Sequence, residues 1–133
     1  MRTFLDACVL ITALQGEEDI SGRALEIIDD TEREFVISDY LKLELIPKPR
    51  FHGYQEQVEF YETFFSNAAI QIVPNPDISA QAIELASQYD LSPIDALHIS
   101  AAKSVEAEFI TAEKPEKPFF KVADISVTTI YLS

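Results

Sequence analysis

Four short apolar runs are separated by segments of a different period. RTFLD (2–6), EFVIS (34–38), AIQIV (69–73) and EFIT (108–111) are too short to be buried helices and are rich in β-prone residues. Between them the apolar residues recur every three or four positions, the spacing of amphipathic helices. Strands joined through helices cannot pair as hairpins, so they run parallel. A parallel sheet must be covered on both faces. The fold class expected is therefore α/β: a single three-layer α/β/α domain over residues 1–133, with a central, mainly parallel sheet. A length of 133 residues suits one domain with its own core.

The helical segments read in order. ACVLITALQ places Val9, Leu10, Ala13 and Leu14 on one face, with Gly16 as its stop. Ile20, Ala24, Ile27 and Ile28 mark a second helix from Asp19 to about Thr31. Ser38 is placed to cap a helix running through Ile46, which the Pro47 and Pro49 pair ends. YQEQVEFYETFFSN (54–67) carries Tyr54, Val58, Tyr61 and Phe65 as one stripe with Phe60 and Phe64 beside it. That broad aromatic surface reads as core or as a subunit interface, and so points to a homodimer as one option. A clean helix follows over Ile78 to Tyr89, then another from Pro93 to about Val105. KPEKP (114–118) reads as a loop, and two β-prone pieces close the chain, around FFKV and SVTTIYL.

Composition excludes several classes. The single cysteine, Cys8, rules out an internal disulfide and suits a reducing compartment. No apolar run approaches the ~20 residues of a membrane helix, so a soluble, cytoplasmic protein is expected. The net charge of −13 argues against general nucleic-acid affinity. Its distribution qualifies that: eight acids lie between Glu17 and Glu34, while six of the ten cations lie in two short regions. These are Lys42, Lys48 and Arg50, then Lys114, Lys117 and Lys121. Three glycines, Gly16, Gly22 and Gly53, make no dinucleotide-binding fingerprint. A phosphoacceptor domain would need paired acids after the first strand and an acceptor Asp after a middle strand, and AIQIVPNP offers none.

The chemistry concentrates in four carboxylates. In SPIDALHISA (92–101), Asp95 lies on the helix side it shares with Ile99 and Ala102, among residues suited to a core. Ser92, Pro93 and Asp95 resemble a capping box, so Asp95 is readable as a cap or as a ligand. Asp6 ends the first strand, Glu113 follows the strand EFIT, and Glu44 lies in the helix after the second strand. Each has a plain reading: a cap for Asp6, an i,i+4 pair with Lys48 for Glu44, a solvated loop charge for Glu113. Together they lie where α/β folds build sites, outside the carboxyl ends of the strands. Clustered carboxylates raise one another's pKa unless a cation sits among them. Oxygen donors of this kind select Mg²⁺ or Mn²⁺, ions that activate water and stabilise charge on a phosphoryl group. His98, one turn beyond Asp95, reads as a satisfied core histidine or as a group orienting a carboxylate. Cys8 reads as a small core residue, and His52 as an exposed member of the basic loop.

FLDACVLI, the Glu of YLKLELIPKP, the run IDALHISAA and FITAEKP occur in the order and spacing of PIN domains. The chain resembles that family, which includes toxin ribonucleases of the VapC kind, over nearly its whole length. The resemblance implies a central parallel sheet in three layers and Mg²⁺- or Mn²⁺-dependent cleavage of RNA. It implies metal-binding and catalytic roles for Asp6, Glu44, Asp95 and Glu113, and for a toxin an antitoxin partner. Two positions depart from the family pattern. Glu113 stands where Asp is usual, moving the carboxylate outward, and Cys8 stands where Ser, Thr or Asn is usual. Lys48 and Arg50 after Glu44, and Lys114 and Lys117 after Glu113, are then expected at the cleft mouth as phosphate contacts. The other reading carried forward is a PIN-fold interaction module with weak or no nuclease activity.

Overall fold

The computed structural model describes residues 1–131. Its sheet has five strands: β1 (Arg2–Leu5), β2 (Glu34–Ser38), β3 (Ile70–Ile72), β4 (Glu108–Thr111) and β5 (Val127–Thr129). They stand in the order β3-β2-β1-β4-β5, and every pair is parallel. Helices α1 (Ala7–Gln15) and α2 (Glu18–Ile28) join β1 to β2. Helices α3 (Asp39–Leu45), α4 (Pro47–Phe51) and α5 (Gln55–Ser66) join β2 to β3. Helices α6 (Pro76–Tyr89) and α7 (Pro93–Ser104) return the chain across the sheet to β4.

That return makes a topological switch. The first two crossovers move outward from β1 in one direction, and the later ones move the other way. Right-handed crossovers then put the first helices and the later ones on opposite faces. The strand pleat supplies both cores. Phe4 and Phe109 are register partners whose rings stack at 5.7 Å, and His98 of α7 packs on Phe4 at 5.4 Å. Leu5 and Ile110, one step along, point to the other face and are buried as well.

Local chemistry explains most boundaries. Ser38 caps α3 through a 3.1 Å bond from Leu41 N–H, and Asn75 caps α6 in the same way through Ile78 N–H at 3.0 Å. Gly16 ends α1, where an added Cβ would lie 2.7 Å from Thr12 O. Pro47 closes α3 as expected, but it also opens α4, because proline suits a first helical position. The expected strand at FFKV is corrected: Pro118–Lys121 forms a 3-10 turn. Pro118 leads it, and Phe119 turns inward to pack on Phe109 at 5.7 Å. The final strand covers Val127–Thr129, and Leu132 of the expected segment lies outside the described residues.

The aromatic stripe of α5 serves mainly this chain's own core. Tyr61, Phe64 and Phe65 are buried, Phe60 is half-buried, and Tyr54 is exposed. At the opposite end of the sheet from the carboxyl termini, Arg33 ties three strands. It donates to Thr3 Oγ1 at 2.9 Å and Asp30 at 3.1 Å, and pairs with Glu108 of β4. Its side chain is 19 % exposed, so the pair is partly desolvated and removing one partner strands the other. Arg33→Met is expected to lower unfolding free energy by about 1–3 kcal/mol in urea titrations. An unchanged midpoint would show the network to be dispensable.

Candidate metal centre

Asp6 directly follows β1 at the switch point. Its backbone N–H continues the β1–β4 ladder to Ile110 O at 2.9 Å. Its side chain also caps α1: Oδ1 accepts from Ala7 N–H at 2.9 Å. Oδ2 accepts from Thr111 Oγ1 at 3.0 Å and from the Cys8 thiol at 3.3 Å. Cys8 Sγ in turn accepts from Ala112 N–H at 3.2 Å. The cysteine is thus a polar support for Asp6, beyond the small core residue expected. Burial pushes its thiol up to about 12, with the Asp6 carboxylate adding to the rise, so it keeps the proton it donates.

Glu44 and His98 arrive from opposite directions. α3 carries Glu44 and α7 carries His98, and Nε2 lies 2.6 Å from Glu44 Oε1. An ionised carboxylate only accepts, so Nε2–H is the donor. His98 is fully buried, and its Nδ1 has no hydrogen-bond partner among the described residues. Its ring packs on Phe4, and its one hydrogen bond among the described residues is to Glu44. The histidine orients a carboxylate, one of the two roles read from the sequence. The Glu44–Lys48 ion pair does not form. Ligand atoms of Asp6, Glu44 and His98 all lie within 4.8 Å of one another.

Asp95 occupies the first turn of α7. Ser92 Oγ accepts its backbone N–H at 3.3 Å, so serine is the cap. The carboxylate itself makes no hydrogen bond among the described residues and is half-buried. Its charge adds to the rise in the pKa of Asp6, but its carboxylate lies outside the Asp6–Glu44–His98 group. The dominant cause of that rise is burial, since Asp6 is only 5 % exposed, and the neighbouring His98 opposes it.

Glu113 is held beside the site through its backbone. Its N–H donates to Thr111 Oγ1 at 3.1 Å and its carbonyl accepts from Thr129 Oγ1 at 2.6 Å, which pins its backbone beside the site. Its side chain lies 3.9 Å from Lys117, outside the Asp6–Glu44–His98 group. The basic residues divide too. Lys48 lines a cavity with Glu44, while Arg50 pairs with Glu62 at 3.1 Å and lines a separate groove with Lys42. Lys114 lies over the Tyr131 ring at 5.8 Å.

The donor set fits a hard divalent cation: buried Asp6, half-buried Asp95 and exposed Glu44, the last oriented by a histidine, with too few internal donors to balance their charge. Comparison with known proteins follows the same line. The PIN domain profile matches residues 3–123. The chain belongs to the PIN domain family. Chains of solved toxin–antitoxin and VapBC complexes superpose over nearly their full length. A chain of a toxin–antitoxin complex from Klebsiella pneumoniae gives a TM-score of 0.73 at 21% identity, covering 98% of this chain and 99% of that one. DNA-bound VapBC from Salmonella typhimurium gives 0.71 at 17% identity, covering 98% of each chain. VapBC2 from Rickettsia felis, bound to a promoter fragment, gives 0.70 at 16%, covering 97% and 98%. At these identities the likeness is one of fold. No curated protein matches the chain by sequence.

The raised pKa of Asp6 has a measurable consequence. An acid whose folded pKa lies above its unfolded value holds its proton more tightly when folded. Its ionised form therefore costs stability at neutral pH, and the cost is relieved as pH falls through the folded value. Asp6→Asn keeps an oxygen for Ala7 N–H and removes the charge. In EDTA at neutral pH it is expected to raise Tm by a few degrees, a gain that shrinks as the pH is lowered. Mn²⁺ is expected to raise the Tm of the wild type and leave the variant unmoved. A variant that melts lower than wild type in EDTA would contradict this electrostatic reading.

Proposed function

We propose that this PIN domain is a divalent-metal-dependent ribonuclease that hydrolyses RNA phosphodiester bonds. The observation that carries the reading is the convergence of Asp6 and Glu44, with Asp95 near, at the switch point of a parallel sheet. Asp6, Glu44 and Asp95 would hold Mg²⁺ or Mn²⁺, with Glu113 at the rim. When bound, the ion supplies Lewis-acid stabilisation of phosphoryl charge and lowers the pKa of a bound water.

The chain's own residues do the positioning. Ala7 N–H, Thr111 and Cys8 orient the two oxygens of Asp6, and His98 aims Glu44. The Asp95 carboxylate, without a hydrogen bond among the described residues, keeps its oxygens available. Lys48, in the cavity that Glu44 shares, offers a cation to a backbone phosphate, with Lys114 and Lys117 on the far loop. Arg50 contributes to longer-range attraction, because its guanidinium is engaged with Glu62. The acidic remainder of the surface disfavours non-specific contact with nucleic acid.

The biological setting we propose is that of a toxin silenced by an antitoxin. Support comes from the full-length superposition on chains of toxin–antitoxin complexes. A cluster of carboxylates with few internal donors also suits a basic side chain delivered by such a partner. We carry the homodimer as a further proposal, although α5 buries most of its aromatic stripe in its own core. The second reading, an interaction module without nuclease activity, is favoured by one observation: Glu113 lies against Lys117 and not in the cluster.

Cleavage of single-stranded RNA in Mn²⁺ decides between them. Asp95→Asn is expected to lower the rate by roughly a hundredfold or more while keeping the wild-type melting profile. Undiminished cleavage by that variant would remove Asp95 from the site. No cleavage by the wild type, with no heat of Mn²⁺ binding at millimolar concentration, would favour the interaction module.

A further inference from the structure

The turn between α4 and α5 carries exposed aromatic rings beside a cation. Phe51 is 85% exposed and Tyr54 is 53% exposed, whereas every other Phe and Tyr is buried or half-buried. The rings are ordered against one another. His52 and Tyr54 stack with centroids 5.4 Å apart and planes 22° apart, and Phe51 meets His52 edge-on at 5.1 Å. Gly53 makes this possible. Its φ of 72° is left-handed, and the turn is closed by Gly53 N–H to Arg50 O at 3.2 Å and Tyr54 N–H to Pro49 O at 2.8 Å. No atom lies within 4 Å of where a Cβ would stand there, so the backbone angle, not space, calls for glycine.

The stacked pair borders a cavity of about 340 Å³ that also contains Glu44. That volume lies within the usual range for small-ligand sites. Buried Tyr61 lines it, Lys48 adds a cation, and the amides of Gln15 and Gln57 supply donors and acceptors. Because Glu44 belongs both to this cavity and to the acidic cluster, a ligand spanning the two would meet a ring face at one end and the carboxylates at the other.

We propose, resting on the ribonuclease reading above, that His52 and Tyr54 form a stacking platform for one unpaired base of the RNA substrate, next to the acidic cluster. A nucleobase offers the flat π face that a parallel ring pair accepts and polar edges for the two glutamines. Its backbone phosphate brings the negative charge that Lys48 complements, on a surface otherwise strongly acidic. A duplex keeps its bases stacked on one another and cannot use the platform. The same geometry makes Tyr54 and His52 binding residues that select single strands, while the carboxylates remain the reacting site.

Binding is measured in EDTA, so that it is independent of cleavage. The probe is a short oligoadenylate RNA with 2-aminopurine at a central position, titrated by fluorescence. Wild-type protein is expected to quench the probe on binding. Tyr54→Ala and His52→Ala are expected to weaken binding about tenfold and to lose the quenching, while Tyr54→Phe retains both. The duplex of the same sequence is expected to bind more weakly than the single strand. Alanine variants that bind and quench like wild type overturn the platform and assign the exposed rings to a protein partner. No quenching by the wild type, a preference for duplex, or a Tyr54→Phe loss equal to that of alanine overturns it as well. A wild type that stacks the probe in EDTA yet cleaves no RNA in Mn²⁺ keeps the platform and defeats the ribonuclease reading. The converse pattern does the reverse.

Discussion

The site depends on a hydrogen bond across the point where the chain reverses its winding. Thr111, at the end of β4, donates to Asp6, one residue past the end of β1. The two strands are neighbours in the sheet but far apart in sequence, and the elements that follow them depart to opposite faces. That departure leaves a gap at the carboxyl end of the sheet, and Asp6 projects into it. The register of β1 against β4 is therefore a functional quantity. A slip of one residue would exchange the faces of Phe4 and Leu5 and break the Asp6–Thr111 bond together. The stacked pair of Phe4 and Phe109 and the Arg33 pair with Glu108 hold that register from within and from the opposite end.

Around that anchor the molecule assembles groups that repel. Asp6 is buried, the charge of Asp95 acts on it, and Glu44 comes within reach of both the Asp6 carboxylate and the His98 ring. His98, Cys8 and Thr111 favour the ionised Asp6, but burial outweighs them. His98 is held on Phe4 with one nitrogen unpartnered, and its other nitrogen is committed to Glu44. A fold optimised for stability alone would place neutral side chains here. Charge of one sign kept in a low-dielectric cleft is the usual mark of a site awaiting a cation.

Much of this was readable in the residues, and the failures have physical causes. Period alone gave the strand–helix alternation, and the parallel sheet followed from the absence of hairpins. Asp6, Glu44 and Asp95 were singled out by position, at a strand end, in the helix after a strand and on an inward helix face; the structure brings Asp6 and Glu44 together with His98. Glu113 satisfied the same positional rule, yet its side chain lies against Lys117, since spacing along a loop does not reveal rotamer direction. The FFKV segment misled because two phenylalanines and a valine favour a strand locally, whereas Pro118 and the inward packing of Phe119 make a 3-10 turn. Arg50 and Lys48, two residues apart, ended on different sides of α4, which a view of them as one basic cluster could not anticipate. The contacts that fix Cys8 in its supporting role were not visible because two of its three polar partners, Thr111 and Ala112, lie over a hundred residues away. The ring stack at His52 and Tyr54 had a signal, a glycine between two aromatics, that acquires meaning only once its φ is known to be positive.

The central claim is that three carboxylates from three separate elements form one metal site. A crystal of the protein soaked in Mn²⁺ and measured at the manganese edge tests it directly. An anomalous peak bounded by oxygens of Asp6, Glu44 and Asp95 is the expected result, with His98 still bonded to Glu44. A peak elsewhere, or none beside Asp6 at saturating Mn²⁺, would contradict it.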